Sequence, residues 1–180
     1  SIRYFESMGI EMAGVALGDI EKIVHGTTVA TNAVIEYDGA EVGMLTTRGF
    51  RDILLLARGK RPHNFSMQFD VPWQSKPLVK RRNRIVVSER ILPPDGRIEV
   101  ALNEDEVRAA AELLKKRDVD AVIICFFYSF LNNTHEQRAK AIVKEVLPDT
   151  YVSCSSEVAD VIREYERFST AAMNAFIGPR

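Results

Sequence analysis

Apolar and polar positions alternate along the chain in short blocks, and the spacing inside each block predicts its element. The sharpest block is Val107, Ala110, Ala111 and Leu114, at i, i+3, i+4 and i+7, which predicts a helix over roughly 104–117. Asn103 followed by Glu106 reads as a capping box ahead of it, and Glu112 with Lys116 as an i,i+4 ion pair on its outer face. Residues 121–128 are apolar throughout, without alternation, which is the pattern of a strand covered on both faces inside a parallel sheet. A second helix is predicted behind Asn132-Asn133-Thr134, with Ala139, Ile142, Val143 and Val146 as its apolar stripe and Pro148 beyond its end. Residues 151–154 read as a short strand. Ser155 or Ser156 then caps a last helix with Val158, Val161, Ile162 and Tyr165 inward, running through Ala172 and Phe176 until Gly178-Pro179 stops it.

The first half is more broken. Residues 2–8 read as part of a helix, and Ile23-Val24 as a short apolar run. Residues 29–37 read as a short helix ended by Asp38-Gly39, 42–45 as a brief buried strand, and 51–57 as another helix. Residues 58–77 carry three prolines and Gly59 and predict a long loop. Residues 83–92 look extended, Pro93-Pro94-Asp95-Gly96 is a turn, and 97–100 returns as a strand, so the pair predicts a β-hairpin. This order predicts an α/β fold: a largely parallel sheet flanked by helices, mixed if the hairpin joins it.

Composition narrows the class without changing the picture. Of 180 residues, 46% are hydrophobic and 27% charged, with a formal net charge of -1. That balance gives no global field toward nucleic acid or an anionic membrane, so neither is an expected partner. The longest apolar run is too short to span a bilayer. Two cysteines, Cys125 and Cys154, make no disulfide framework and suit a reducing, cytoplasmic setting. The chain opens on Ser1 and closes just after a helix, and both ends read as cut.

The candidate chemistry centres on His25-Gly26-Thr27-Thr28-Val29-Ala30-Thr31-Asn32, which joins an apolar run to a helix start. Gly26 permits close backbone approach, and the first helical amides are free to face an anion or a substrate oxygen. Thr27, Thr28 and Thr31 add hydroxyls, Asn32 an amide, and His25 a group able to move a proton near neutral pH. Alternatively, Thr27 is an N-cap and His25 a structural histidine. In Arg163-Glu164-Tyr165-Glu166-Arg167 the arginines stand at i and i+4 and so share one helix face, where local ion pairs suffice. Arg58, Lys60, Arg61 and His63 could hold an anion or form a solvated loop. The basic run from Lys76 to Arg84 reads as a solvated linker, and Cys154 ahead of a helix could have a lowered pKa. His25, His63, His135 and the cysteines show no metal-ligand spacing, so no metal site is expected.

Three blocks resemble the N-terminal region of the hydantoinase A/5-oxoprolinase family, in that family's order: residues 23–54 (IVHGTTVATNAVIEYDGAEVGMLTTRGFRDIL), 81–114 (RRNRIVVSERILPPDGRIEVALNEDEVRAAAELL) and 155–179 (SSEVADVIREYERFSTAAMNAFIGP). The family includes 5-oxoprolinases, N-methylhydantoinases and acetone and acetophenone carboxylase subunits. The resemblance implies part of an actin/hexokinase-like ATPase fold. It implies ATP and Mg²⁺ in the parent protein, phosphorylation of a carbonyl oxygen of a small cyclic amide, and ring opening. A ketone carboxylase subunit and a non-catalytic scaffold are the alternatives. The family's D-x-G-G-T loop is missing from this sequence, so the isolated chain is expected to bind no cofactor and to be inactive. The remaining domains of the parent chain and a hydantoinase B-type subunit or domain are the implied partners. Residues 1–180 are expected to form one such domain, truncated at both ends. It would carry a hairpin region at 78–101 and a terminal helix at 156–177 leading to the next domain. By position, the resemblance marks His25 and Thr28 as catalytic, and Gly26, Thr27, Thr31, Asn32 and Arg61 as substrate- or phosphate-binding. Glu157, Arg163, Glu164, Arg167 and Asn174 are marked as cleft or interdomain residues.

Overall fold

The structure is a computed structural model that describes residues 28–60 and 72–179. Two compact units divide the chain, residues 1–31 and 32–180, and the fold below belongs to the second. His25, Gly26, Thr27, Arg61 and His63 lie outside the described residues, as does the helix expected at 2–8.

Among the described residues a four-stranded, wholly parallel sheet forms the centre. It contains β1 (Val42–Thr47), β2 (Arg84–Val87), β5 (Ala121–Cys125) and β6 (Tyr151–Cys154), in the order β2-β1-β5-β6. Every residue of β1 and β5 is buried, as the unbroken apolar run in residues 121–125 requires. Alternate residues face opposite layers. Leu45, Val122 and Ile124 pack with Val87, Val152 and Cys154 against α4 (Glu104–Lys116) and α5 (Thr134–Val146). Val42, Met44, Ala121, Ile123 and Cys125 pack against Phe168, Ala171, Ala172, Ala175 and Phe176 of α7 (Glu164–Ile177). The result is a three-layer α/β/α sandwich. Short helices α1 (Val29–Ile35), α2 (Ile53–Leu56), α3 (Pro72–Ser75) and α6 (Ser155–Val158) complete it. Gly43 keeps the α4 layer close, because a Cβ there would stand 2.8 Å from Leu114.

Five expectations change. The extended stretch 83–92 is two strands in two sheets. β2 joins the main sheet, while β3 (Arg90–Leu92) pairs antiparallel with β4 (Arg97–Val100) as a separate hairpin. The chain breaks at Ser88-Glu89 because Ser88 N–H donates to the Glu106 carboxylate at 2.7 Å, Asn103 N–H donates to Ser88 C=O at 3.0 Å, and Glu89 turns inward. The same bond makes only half a capping box: Asn103 accepts from Glu106 N–H at 3.1 Å, but the Glu106 carboxylate serves Ser88. The last helix is broken into α6 and α7. Val161 and Ile162 in the break are 47% and 70% exposed, and Arg163 ahead of α7 has φ +83°. Arg163 and Arg167 therefore do not share a helix face. Finally, the basic run is tied down. Arg81 binds Asp52 through two hydrogen bonds, Lys80 and Arg82 pair with Glu41, and Arg84 is buried. Part of the expected 58–77 loop, Pro72–Ser75, is helical.

Candidate functional site

All four parallel strands end in one polar belt, at the sheet edge where open α/β folds bind ligands. Thr47 closes β1, Glu89 follows β2, Phe126 and Phe127 follow β5, and Ser155 follows β6. The order β2-β1-β5-β6 reverses direction between β1 and β5, and there Phe127 N–H donates to Thr47 Oγ1 at 3.0 Å. Thr47 Oγ1 in turn donates to Glu89 Oε1, and Glu89 Oε2 lies 2.9 Å from His135 Nδ1. All three side chains are buried. Phe50 stacks on Phe127 with ring centroids 3.7 Å apart, and the Arg90 guanidinium lies over the Phe50 ring, 4.9 Å from its centroid.

The second half of the belt is built on Glu136, which is fully buried at the start of α5. Its Oε1 accepts from Phe126 N–H at 2.9 Å and Ser155 Oγ at 2.6 Å, and its Oε2 from Ser156 N–H at 3.0 Å and Ser156 Oγ at 2.7 Å. Four donors satisfy the carboxylate and offset the cost of burying it. Ser155 Oγ also accepts from Arg167 Nε at 3.1 Å, and since its own proton goes to Glu136, Ser129 must donate the 3.3 Å contact to it. Arg167 completes the network with Nη2 to Phe126 C=O at 2.8 Å and Nη1 to Val161 C=O at 3.2 Å, between the rings of Phe130 and Phe168.

Outside this network lies an open pocket of about 290 Å³ lined by Ser129, Asn132, Asn133, Ser156 and Asp160, with Phe130 and Leu131 as apolar wall. Ser156 links the two, since it lines the pocket while its hydroxyl donates to Glu136. Asn132 is committed to structure: it accepts from Thr134 N–H at 3.1 Å and donates to Gly96 C=O at 2.9 Å, tying the hairpin turn to the start of α5. The pocket offers hydroxyls, amides and one carboxylate, which suits hydrogen bonding to a small polar ligand. Among the described residues, no three His, Cys, Asp or Glu side chains gather where they could hold a metal ion.

The residues marked in the sequence fall in several places. Thr28 directly precedes α1, and Thr28, Thr31 and Asn32 are exposed. Glu157 lies near the belt, accepting from Lys140 Nζ at 2.8 Å, Gln137 Nε2 at 3.1 Å and Cys154 N–H at 3.2 Å. Arg167 is an internal strut. Arg163 is exposed and Glu164 half-buried at the start of α7, and Asn174 donates to Tyr151 Oη at 2.9 Å. Cys154 corrects an expectation: burial, reinforced by Glu136 and Glu157, pushes its thiol pKa well up, and burial does the same to Cys125. Glu89 and Glu136 were not singled out in the sequence, His135 was weighed only as a metal ligand, and Ser155 only as a helix cap. The available signal was an acidic residue in the first turn behind a fully apolar strand, which is common in solvated helices and so does not discriminate.

The pattern that defines the hydantoinase/oxoprolinase N-terminal region matches residues 4–147. The chain belongs to that family. It is 38% identical to the caprolactamase alpha subunit of Pseudomonas jessenii, over 91% of this chain and 23% of that protein. It is 36% identical to an uncharacterised protein of Methanocaldococcus jannaschii, over 94% of this chain and 25% of that one. The crystal structure of the ATP-dependent caprolactamase from Pseudomonas jessenii superposes with a TM-score of 0.81 at 36% identity, covering 99% of this chain and 26% of that chain. The chain thus spans about a quarter of the length of these relatives. Among the described residues, no helix is long and apolar enough to cross a membrane.

Proposed function

We propose that this chain is the N-terminal part of an ATP-dependent enzyme that opens small cyclic amides, and that residues 25–32 line its cleft. The observation that carries the reading is the likeness to caprolactamase in both sequence and fold over nearly the whole chain. An unstrained lactam is a poor electrophile, and ATP-driven phosphorylation of its oxygen makes that oxygen a leaving group. In this reading the nucleotide and its Mg²⁺ are held mainly by the rest of the parent protein.

What this chain supplies is polar contact. The Thr27, Thr28 and Thr31 hydroxyls, the Asn32 amide and the backbone at Gly26 hydrogen-bond substrate or phosphate oxygens, with Arg61 adding charge, and His25 moves a proton. Thr28, Thr31 and Asn32 stand exposed, so their polar groups are available. Arg163, Glu164 and Glu157 face a neighbouring domain or a hydantoinase B-type partner; two relatives are named as subunits, of caprolactamase and of acetophenone carboxylase. The free, buried Cys125 and Cys154 agree with a reducing, cytoplasmic setting.

The test uses the full-length protein with Mg-ATP and caprolactam, 5-oxoproline or hydantoin. ATP hydrolysis coupled to ring opening is expected for at least one. His25→Gln and Thr28→Val are expected to lower kcat about a hundredfold while leaving the circular dichroism unchanged. Coupled ATP hydrolysis on none of the three would sink the reaction class, and wild-type turnover by the double variant would sink the site. A second reading, a ketone carboxylase subunit, rests on 31% identity to the acetophenone carboxylase gamma subunit of Aromatoleum aromaticum over 88% of this chain. It predicts ATP hydrolysis that needs both a ketone and bicarbonate.

A further inference from the structure

A second cavity lies on the α7 side of the sheet, walled by Leu54, Leu78, Tyr165 and Ala172, with Ser169 and Arg84 as its polar residues; it is partly open to solvent and has a volume of about 80 Å³. Arg84 is 1% exposed. Its Nε and Nη2 both donate to Val79 C=O, at 3.0 and 2.8 Å, which fixes the guanidinium in place. Its Nη1 is buried and makes no hydrogen bond. The nearest carboxylate oxygen, Asp52 Oδ1, is 3.7 Å away, and Asp52 is already engaged by Arg81 through bonds of 2.9 and 2.8 Å. Arg51 Nε is likewise buried without a hydrogen-bond partner. Three guanidinium groups therefore share one carboxylate, and two buried donors are left over.

A buried cationic donor in a mostly apolar cavity selects a ligand that brings one negative oxygen and a hydrocarbon body. We propose that this cavity binds a short-chain aliphatic monocarboxylate, with the carboxylate on Arg84 and the chain against Leu54, Leu78 and Ala172. The cavity is well below the roughly 300–1,000 Å³ of drug-sized ligand sites, which limits the body to a few carbons. Ser169 already donates to Glu166 C=O at 3.1 Å, so it is free to accept but not to give the carboxylate a second hydrogen bond. Inorganic phosphate fits poorly, since its further charged oxygens would meet apolar wall. The inference does not depend on the proposed reaction.

The test is titration of the full-length protein with butyrate, followed by ligand-observed NMR. For a ligand of about six non-hydrogen atoms, saturable binding in the roughly millimolar range is expected. Butanol, with the body but not the charge, and inorganic phosphate, with the charge but not the body, should each bind at least about tenfold more weakly. Ala172→Leu fills the cavity from the helix side without touching the arginines, and should weaken butyrate binding at least about tenfold. Arg84→Met should do the same, and Ala172→Leu keeps the question decidable if that variant does not fold. No saturable binding up to about 50 mM, butanol or phosphate binding as tightly as butyrate, or unchanged binding in Ala172→Leu would each overturn the proposal.

Discussion

Replacing Glu136 by Gln exchanges one carboxylate oxygen in the belt for an NH₂ group and tests whether the carboxylate holds the strand ends together. The carboxylate accepts from two backbone N–H groups, one on each of its oxygens: Phe126 on Oε1 and Ser156 on Oε2. Whichever way a Gln amide is turned, its NH₂ faces one of those N–H groups, and a backbone donor cannot rotate away as a hydroxyl can. One buried backbone N–H is thus left unpaired, at about 1–3 kcal/mol. The bonds that survive lose their charge assistance, worth roughly 1 kcal/mol each. Arg167, which reaches Glu136 through Ser155 Oγ, also loses the carboxylate at the end of that relay. Relief from burying a charge offsets part of this, leaving an expected loss of about 3 kcal/mol. Against a typical domain stability of about 5–15 kcal/mol this is large. Urea unfolding followed by circular dichroism measures it, with Glu157→Gln as a control whose carboxylate sits at the surface and whose loss should be about 1 kcal/mol or less. A loss below about 1 kcal/mol for Glu136→Gln would refute the view that the four-donor clamp organises this edge.

Three further outcomes are expected from the same structure. Cys125 and Cys154 are buried with thiol pKa values pushed up, so native protein should react with a thiol-specific reagent at pH 8 far more slowly than urea-unfolded protein; rapid native labelling of Cys154 would contradict its placement. Asn103→Ala removes the side-chain acceptor for Glu106 N–H and should lower stability by about 1 kcal/mol in urea unfolding, with no change expected if the cap is not formed. Hydrogen bonds from Arg81 hold the Asp52 carboxyl below the usual range, although burial opposes this, so ionised Asp52 stabilises the fold above about pH 4 and the contribution is lost as pH falls through its lower folded value. Asp52→Asn should therefore flatten the acid limb of the urea midpoint against pH, and an unchanged limb would show that the Arg81 pair adds nothing.

Most of the architecture was legible in local pattern. The helical spacing of Val107, Ala110, Ala111 and Leu114 and the unbroken run from Ala121 report which side chains leave water, and that is what decides helix against buried strand. The family was legible too, because its motifs are contiguous runs of residues. Pattern failed where a long-range partner won. Glu106 looks like half of a capping box, but Ser88, 18 residues earlier in the chain, takes its carboxylate and ends β2 there. The 155–177 stretch looks like one helix, but its middle opens at Ala159–Arg163 and exposes Ile162. Arg167 looks like surface charge, yet Phe126 C=O, 41 residues away, gives it a buried acceptor.

The sequence by itself determined the layers, the two long helices α4 and α5 and the family, since each depends on neighbours within a turn or a strand. Only the tertiary structure decided that Thr47, Glu89, Phe126 and Ser155 meet at one edge, and that Arg84, beside an apolar cavity, keeps a buried donor without a hydrogen bond. The reason is the same in both cases. A charge is stable inside a protein when partners from distant segments converge on it, and convergence is a property of the folded chain.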